Sequence, residues 1–202
     1  GIHPDSPLYY DGVPAYELDL DKANTLLDEA GFPMEGGKRF DITMELVPFP
    51  GYKAQAEYIK QALSKVGIMV ELKAHPDFPS WAQTMGTMNY DMSLDSVYNW
   101  GDPVIGVNRT YMSDNIAKGV WSNTQGYSNA RVDELLDAAA TENDADKRKA
   151  LYKEFQEIVA EEVPIYFLNA VPMHTVYSNR VGNSPKGIWA SSAPMDRMYL
   201  KP

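Results

Sequence analysis

Cysteine is absent from all 202 residues, which excludes disulfide staples, thiolate metal sites and cysteine nucleophiles. A chain of this length can do without staples, because a compact fold of its size buries roughly 70% of the surface its unfolded form exposes. Basic residues are also scarce: 18 Lys and Arg stand against 28 Asp and Glu, giving a formal net charge of -10. Phosphate-lined surfaces call for clustered positive charge, so neither nucleic acid nor an anionic membrane is an expected partner. Long apolar runs are missing too, and no stretch approaches the ~18–20 residues of a membrane span. The start, Gly1-Ile2-His3-Pro4-Asp5, has neither the basic nor the apolar region of a signal peptide and no initiator Met. The chain is therefore expected to be a mature form or a piece of a longer protein.

The residues that most chemistry requires are thinly spread. His3, His75 and His174 have no metal-like spacing, no glycine-rich phosphate loop follows a strand, and no Gly-x-Ser-x-Gly elbow occurs. Carboxylate pairs such as Asp28-Glu29 and Glu161-Glu162 read as solvated helix faces. Catalysis, a metal and a cofactor are all unexpected on these grounds.

What is present is a regular alternation of elements. Residues 1–16 lack periodicity and read as an extended arm. Ala23, Leu26, Leu27 and Ala30 share one helical face, opened by Asp19 or Asp21 and closed by Gly31 and Pro33. Phe40, Ile42, Met44 and Leu46 alternate with polar residues as a strand does, and Pro48 and Pro50 end it. A helix is expected from Tyr52 to Val66, a strand over Ile68, Val70 and Leu72, a short helix over Asp77–Met85, and a third strand over Asp91–Val97. Two further helices follow, over Asn129–Ala140 and from Asp144 or Asp146 to Pro164. Ile165–Leu168 and Thr175–Tyr177 look like strands, and from Asn179 onward Gly, Ser and Pro dominate. Strand, helix, strand, helix, strand at these spacings implies crossover units on a largely parallel sheet, an α/β fold.

Ligands on such sheets bind outside the carboxyl ends of the strands. The third strand runs straight into Tyr98-Asn99-Trp100-Gly101-Asp102-Pro103, a cluster of aromatic, amide and carboxylate groups that a core does not require. Trp100 could stack on a ligand or simply be buried at a strand end. Of Tyr98 and Asn99, alternation sends one toward the core. Asp102 reads either as a contact for a cationic group or as a turn residue, Asp-Pro being a common turn dipeptide. Arg109 reads either as a bidentate partner for a ligand carboxylate or as half of an internal ion pair. Met85, Met88, Met92 and Met112 could line an adaptable wall, though filling a core is the simpler use.

Several segments in order resemble one family. Leu20-Asp21-Lys22-Ala23 through Ala30-Gly31-Phe32, Leu63-Ser64-Lys65-Val66-Gly67-Ile68, Tyr90-Asp91-Met92, Trp100-Gly101-Asp102-Pro103, Gly126-Tyr127-Ser128-Asn129, and Arg148-Lys149-Ala150-Leu151-Tyr152 to Val163-Pro164 are similar to the later lobe of extracytoplasmic solute-binding proteins of ABC importers, the dipeptide and oligopeptide class of family 5 type. Each segment is common helix or turn chemistry; together, in register across about residues 8–182, they are specific.

The resemblance implies a lobe of the periplasmic-binding-protein type II fold, with a mixed, mostly parallel sheet flanked by helices. Residues 1–16 would be an arm from the hinge, 17–178 the α/β lobe, and 179–202 a tail toward the hinge and a missing first lobe. It implies a small-molecule or peptide ligand held in the cleft, with Asp102 matching a family position that pairs with a peptide's α-ammonium group. Trp100, Tyr98, Asn99, Gly101 and Arg109 are the other candidate contacts. Tyr127 and Asn129 match a position that folds a loop and caps a helix. The implied partners are the missing lobe and the permease subunits of the importer, with no cofactor and no membrane insertion. The implied place is the periplasm or another extracytoplasmic space, lipid-anchored in a Gram-positive cell. The rival reading is a protein–protein or sensor module that kept the fold and lost transport.

Overall fold

Three parallel strands organise the first half of the chain. The computed structural model describes residues 1–171, 174–187, 189 and 192–202. Helix α1 spans Leu20–Glu29 and is capped by the Asp19 carboxylate, which accepts from the Lys22 amide. Strand β1 (Phe40–Leu46), helix α2 (Tyr52–Ser64), strand β2 (Ile68–Ala74), helix α3 (Phe78–Thr87) and strand β3 (Met92–Leu94) follow. β1 pairs in parallel with β2 from Phe40↔Ile68 to Leu46↔Ala74 and with β3 from Met44↔Met92 to Leu46↔Leu94. The order is β2-β1-β3, so the chain steps outward and then back across β1. With the right-handed crossovers that parallel strands almost always make, that reversal puts α2 and α3 on opposite faces.

The packing follows the pleat. Met44, Leu46, Val70 and Leu94 form one core with Ala56, Ile59 and Leu63 of α2. Val47, the residue after β1, faces the other way and packs with Trp81 and Met85 of α3. Such a reversal in strand order opens a crevice between the carboxyl ends of the diverging strands.

The second half builds a helical core. Helices α4 (Val107–Tyr111), α5 (Ala130–Thr141) and α6 (Ala145–Glu162) bury Val107, Tyr111, Val132, Leu135, Leu136, Tyr152 and Phe155. Asn129 caps α5 through its side chain, and of the two candidates the sequence offers for α6 it is Asp144 that caps it. The first residues lie on this core: Ile2 is buried in it, and Gln156 of α6 accepts from the Tyr10 amide and donates to the Leu8 carbonyl. A small antiparallel pair, β4 (Val181–Gly182) with β5 (Tyr199–Leu200), forms in the tail.

Two expectations need correction. β3 covers three residues rather than Asp91–Val97, because β1, its partner, ends at Leu46 and runs into Pro48 and Pro50, so residues beyond Leu94 have no ladder to join. Ile165–Leu168 and Thr175–Tyr177 are not strands. Tyr166, Phe167, Leu168 and Val176 stand exposed there, and alternation without a neighbouring backbone makes no sheet. Pro172 and Met173 lie outside the described residues.

Candidate functional site

The loop from Asp95 to Gly106 leaves the carboxyl end of β3, beside the end of β1. Its shape is fixed by local bonds: the Trp100 amide donates to the Ile105 carbonyl at 3.2 Å, Ile105 to the Asp102 carbonyl at 2.9 Å, and Val104 to the Asp102 carboxylate at 3.0 Å. Gly106 closes the loop at φ +142, where a Cβ would stand 2.5 Å from the Tyr98 carbonyl oxygen. No other residue fits so close a backbone approach.

The loop presents an aromatic ladder. Tyr98 and Trp100 stack with ring centres 5.7 Å apart and planes 14° from parallel. Trp189, from the tail, stacks on Trp100 at 5.1 Å and 7°, and remains nearly half exposed. On its other side Tyr98 meets the edge of Trp121 at 6.2 Å, and Trp121 continues into Phe78 and Trp81 of α3. Offset, near-parallel rings of this kind contribute roughly 0.5–1.5 kcal/mol per pair beyond their burial. A planar platform half open to solvent can stack on a peptide group or a ring.

The candidate residues fall into different settings. Asp102 is gripped by Arg148 of α6, whose two terminal nitrogens reach its two oxygens at 2.9 and 2.7 Å. That hydrogen bonding, ahead of the partial burial that opposes it, holds the Asp102 carboxyl below the usual range. Both oxygens are thus committed inside the lobe. Arg148 also donates to the Ala139 carbonyl at the end of α5, so one guanidinium ties the loop to both helices. Asn99 is exposed and donates to the Gly1 carbonyl. Gly101 sits at φ +91 in the turn. Arg109 is exposed in α4, with no ion pair or side-chain hydrogen bond among the described residues.

Residues outside the candidate set complete the picture. Asp95, the first residue past β3, is mostly buried and accepts from the Trp121 indole N–H at 3.4 Å; burial pushes its carboxyl up to about 6. Fully buried Asn123 donates to the carbonyls of Tyr111, Met112 and Tyr127 and accepts from the Tyr127 amide, which folds the loop before α5. Tyr127 and Asn129 both reach Glu162, matching the loop-folding and capping role expected of them. His75 is spent on Glu45 at 2.6 Å. The methionines divide: Met85 is buried in the α3 core, whereas Met92 and Met112 only flank cores. Sequence reasoning could find neither Trp189 nor Trp121 nor Arg148 as neighbours of the loop, because they lie 21 to 89 residues away from Trp100 in the chain. Among the described residues no group of three or more His, Asp or Glu could hold a metal ion, and no helix is long and apolar enough to cross a membrane.

Comparison with known proteins agrees with this architecture. The family model for bacterial extracellular solute-binding proteins, family 5, middle part, matches residues 1–119. The chain is similar to Di/tripeptide-binding protein 3 of Pseudomonas aeruginosa, 29% identical over 174 residues, covering 82% of this chain and 31% of that protein. It is similar to Heme-binding protein A of Haemophilus influenzae, 29% identical over 163 residues, covering 77% and 28%. Among solved structures, the ABC transporter-associated periplasmic binding protein DppA from Helicobacter pylori, in complex with the peptide STSA, superposes with a TM-score of 0.70 at 27% identity, covering 80% of this chain and 31% of that one. The fold is thus that of the periplasmic binding proteins of type II. The chain spans about three-tenths of the length of the curated relatives it matches.

Proposed function

This chain belongs to the family 5 bacterial extracellular solute-binding proteins, and from that premise we propose that it is one lobe of a clamshell that captures a peptide and delivers it to the permease of an ABC importer. The observation that carries the reading is the Tyr98–Trp100–Trp189 ladder at the carboxyl end of a parallel sheet, half open and built partly from the tail. Relatives named for di- and tripeptides, and a neighbour solved with a bound tetrapeptide, support a peptide as the ligand. Trp189 supplies the exposed stacking face with Trp100 and Tyr98 packed beneath it, Asn99 and Arg109 supply exposed polar groups, and Gly101 and Asp102 hold the loop. Residues 17–178 form the lobe, with 1–16 and 179–202 leading to the hinge. The working place is outside the cytoplasmic membrane.

Two lobes close on a solute only by the difference in affinity between open and closed forms, so each must contribute contacts. One lobe alone should therefore bind weakly. Calorimetry with a panel of di- to pentapeptides on this chain and on the full-length protein tests it. The expected result is tight binding by the full-length protein, at least a hundredfold weaker binding by the lobe, and a loss of tenfold or more on Trp100→Ala in the full-length protein. Equally tight binding by the lobe alone, or no peptide bound by the full-length protein, would refute the proposal.

A further inference from the structure

The charge of the chain is divided unevenly. Residues 180–201 carry four of its 18 basic residues, Arg180, Lys186, Arg197 and Lys201, and one of its 28 acidic ones, Asp196, so the tail is positive on a molecule whose net charge is -10. The overall acidity conceals this reversal.

Folding sharpens it. β4 and β5 pair as Val181↔Leu200 and Gly182↔Tyr199, which brings the two ends of the tail loop together, and the Lys201 amide donates to the Arg180 carbonyl at 2.7 Å. Asn183, in the left-handed region at φ +53, donates its side-chain amide to the Arg197 carbonyl at 3.1 Å and so holds the returning limb of the loop against the outgoing one. The result is a surface cavity of about 620 Å³ on which Lys186, Arg197 and Lys201 converge with the Asn183 and Ser184 side chains. Among the described residues no carboxylate lines it. Pro185 and Pro194, in its walls, have fixed φ and leave the loop fewer conformations in which the cations could spread apart.

Three like charges gathered around one hollow repel one another, and a β pair of two residues per strand is a weak clamp to hold them. Their internal compensation is slight: among the described residues Arg197 meets its neighbour Asp196 at 4.0 Å, and neither Lys186 nor Lys201 forms an ion pair. An anion would complete the arrangement. A guanidinium offers a planar fork and two ammonium groups offer compact point charges, a set of donors that suits the several oxygens of phosphate better than the two of a carboxylate. We propose that the tail cavity is a binding site for a phosphate-bearing anion, with Arg197, Lys186 and Lys201 as its charged contacts. The site goes beyond the peptide reading and does not rest on it, since no residue of the Tyr98–Asp102 loop lines the cavity. A soluble phosphate ester and an anionic lipid headgroup both offer this chemistry.

The test is calorimetric titration of pyrophosphate into this chain and into the full-length protein at constant ionic strength, with co-sedimentation on phosphatidylglycerol and phosphatidylcholine vesicles as its second arm. Saturable binding is expected in both proteins, weakened about tenfold or more by Arg197→Gln or Lys201→Gln and unchanged by Lys149→Gln, which removes a charge from the exposed surface of α6. Both cavity variants should keep the melting temperature of the unmodified chain, because the two side chains stand exposed. Binding to phosphatidylglycerol vesicles but not to phosphatidylcholine, lost in the same variants, would assign the site to a headgroup; pyrophosphate binding without vesicle binding would assign it to a soluble ester. Binding of neither, binding indifferent to Arg197 and Lys201, equal loss in Lys149→Gln, or binding by this chain that vanishes in the full-length protein would each overturn the proposal.

Discussion

Arg148 and Asp102 meet as a two-bond fork, 2.9 and 2.7 Å, that fastens the aromatic loop to the start of α6. The same guanidinium bonds the Ala139 carbonyl and lies over the Tyr152 ring at 5.4 Å. This one side chain therefore sets the position of Trp100 relative to the helical core.

Because a lysine keeps the charge and loses the fork, Arg148→Lys should destabilise the chain by about 1 kcal/mol, a value kept small by the solvent exposure of Asp102. Urea unfolding followed by circular dichroism measures it. Asp102 has a lowered pKa, so its contribution is present above the unfolded value and is lost as pH falls through the folded one. The gap between Arg148→Lys and the unmodified chain should accordingly narrow in acid. In the full-length protein, Asp102→Asn should weaken amino-free and amino-blocked peptides alike; a selective loss for amino-free peptides would make Asp102 a direct ligand contact.

Asp95 carries the opposite sign. Its folded pKa, about 6, lies above the ordinary value of 3.8 because burial opposes the charge more than the hydrogen bonds from the Ser96 amide and the Trp121 indole favour it. Its favourable contribution is therefore complete below about 3.8 and is lost as pH rises through about 6. Asp95→Asn should raise stability at pH 7.5 by roughly 1–3 kcal/mol and give little gain near pH 4. Thermal melts of both proteins across that range are the check, and a pH-independent difference would contradict the assignment.

Trp100 and Trp189 are 89 residues apart in sequence, yet their rings stack at 5.1 Å. A double-mutant cycle of Trp100→Ala and Trp189→Ala should give a coupling energy of about 0.5–1.5 kcal/mol. Strict additivity would mean that the tail does not rest on the loop in solution.

Asn123 satisfies three carbonyls and one amide from a fully buried position. Asn123→Ala should cost about 2–3 kcal/mol, since it strands several backbone groups away from water. Asn123→Asp should cost more, because a carboxylate oxygen would face those carbonyls. Chemical denaturation of the two variants ranks them.

Local periodicity marked β1, β2, α2, α5 and α6 because each buries one regular stripe of side chains, and the caps were legible to within two residues, Asp19 against Asp21 and Asp144 against Asp146, because capping involves only neighbouring residues. The position of the loop was also readable, since strand–helix alternation by itself forces a parallel sheet with its crevice at the strand ends. The length of β3 was not, because a strand extends only as far as its partner does, and Pro48 and Pro50 belong to a different segment.

The sequence by itself determined the fold class, the helices, the acidic surface and the loop where aromatic and polar groups gather, all of which follow from short-range spacing and composition. Only the tertiary structure decided that Asp102 is tied to Arg148, that Asp95 has no cationic partner among the described residues, and that Trp189 returns from the tail to cover Trp100. The physical reason is distance: whether a charge or a ring is free depends on what the folded chain brings within a few ångströms of it, and spacing along the sequence carries no record of that.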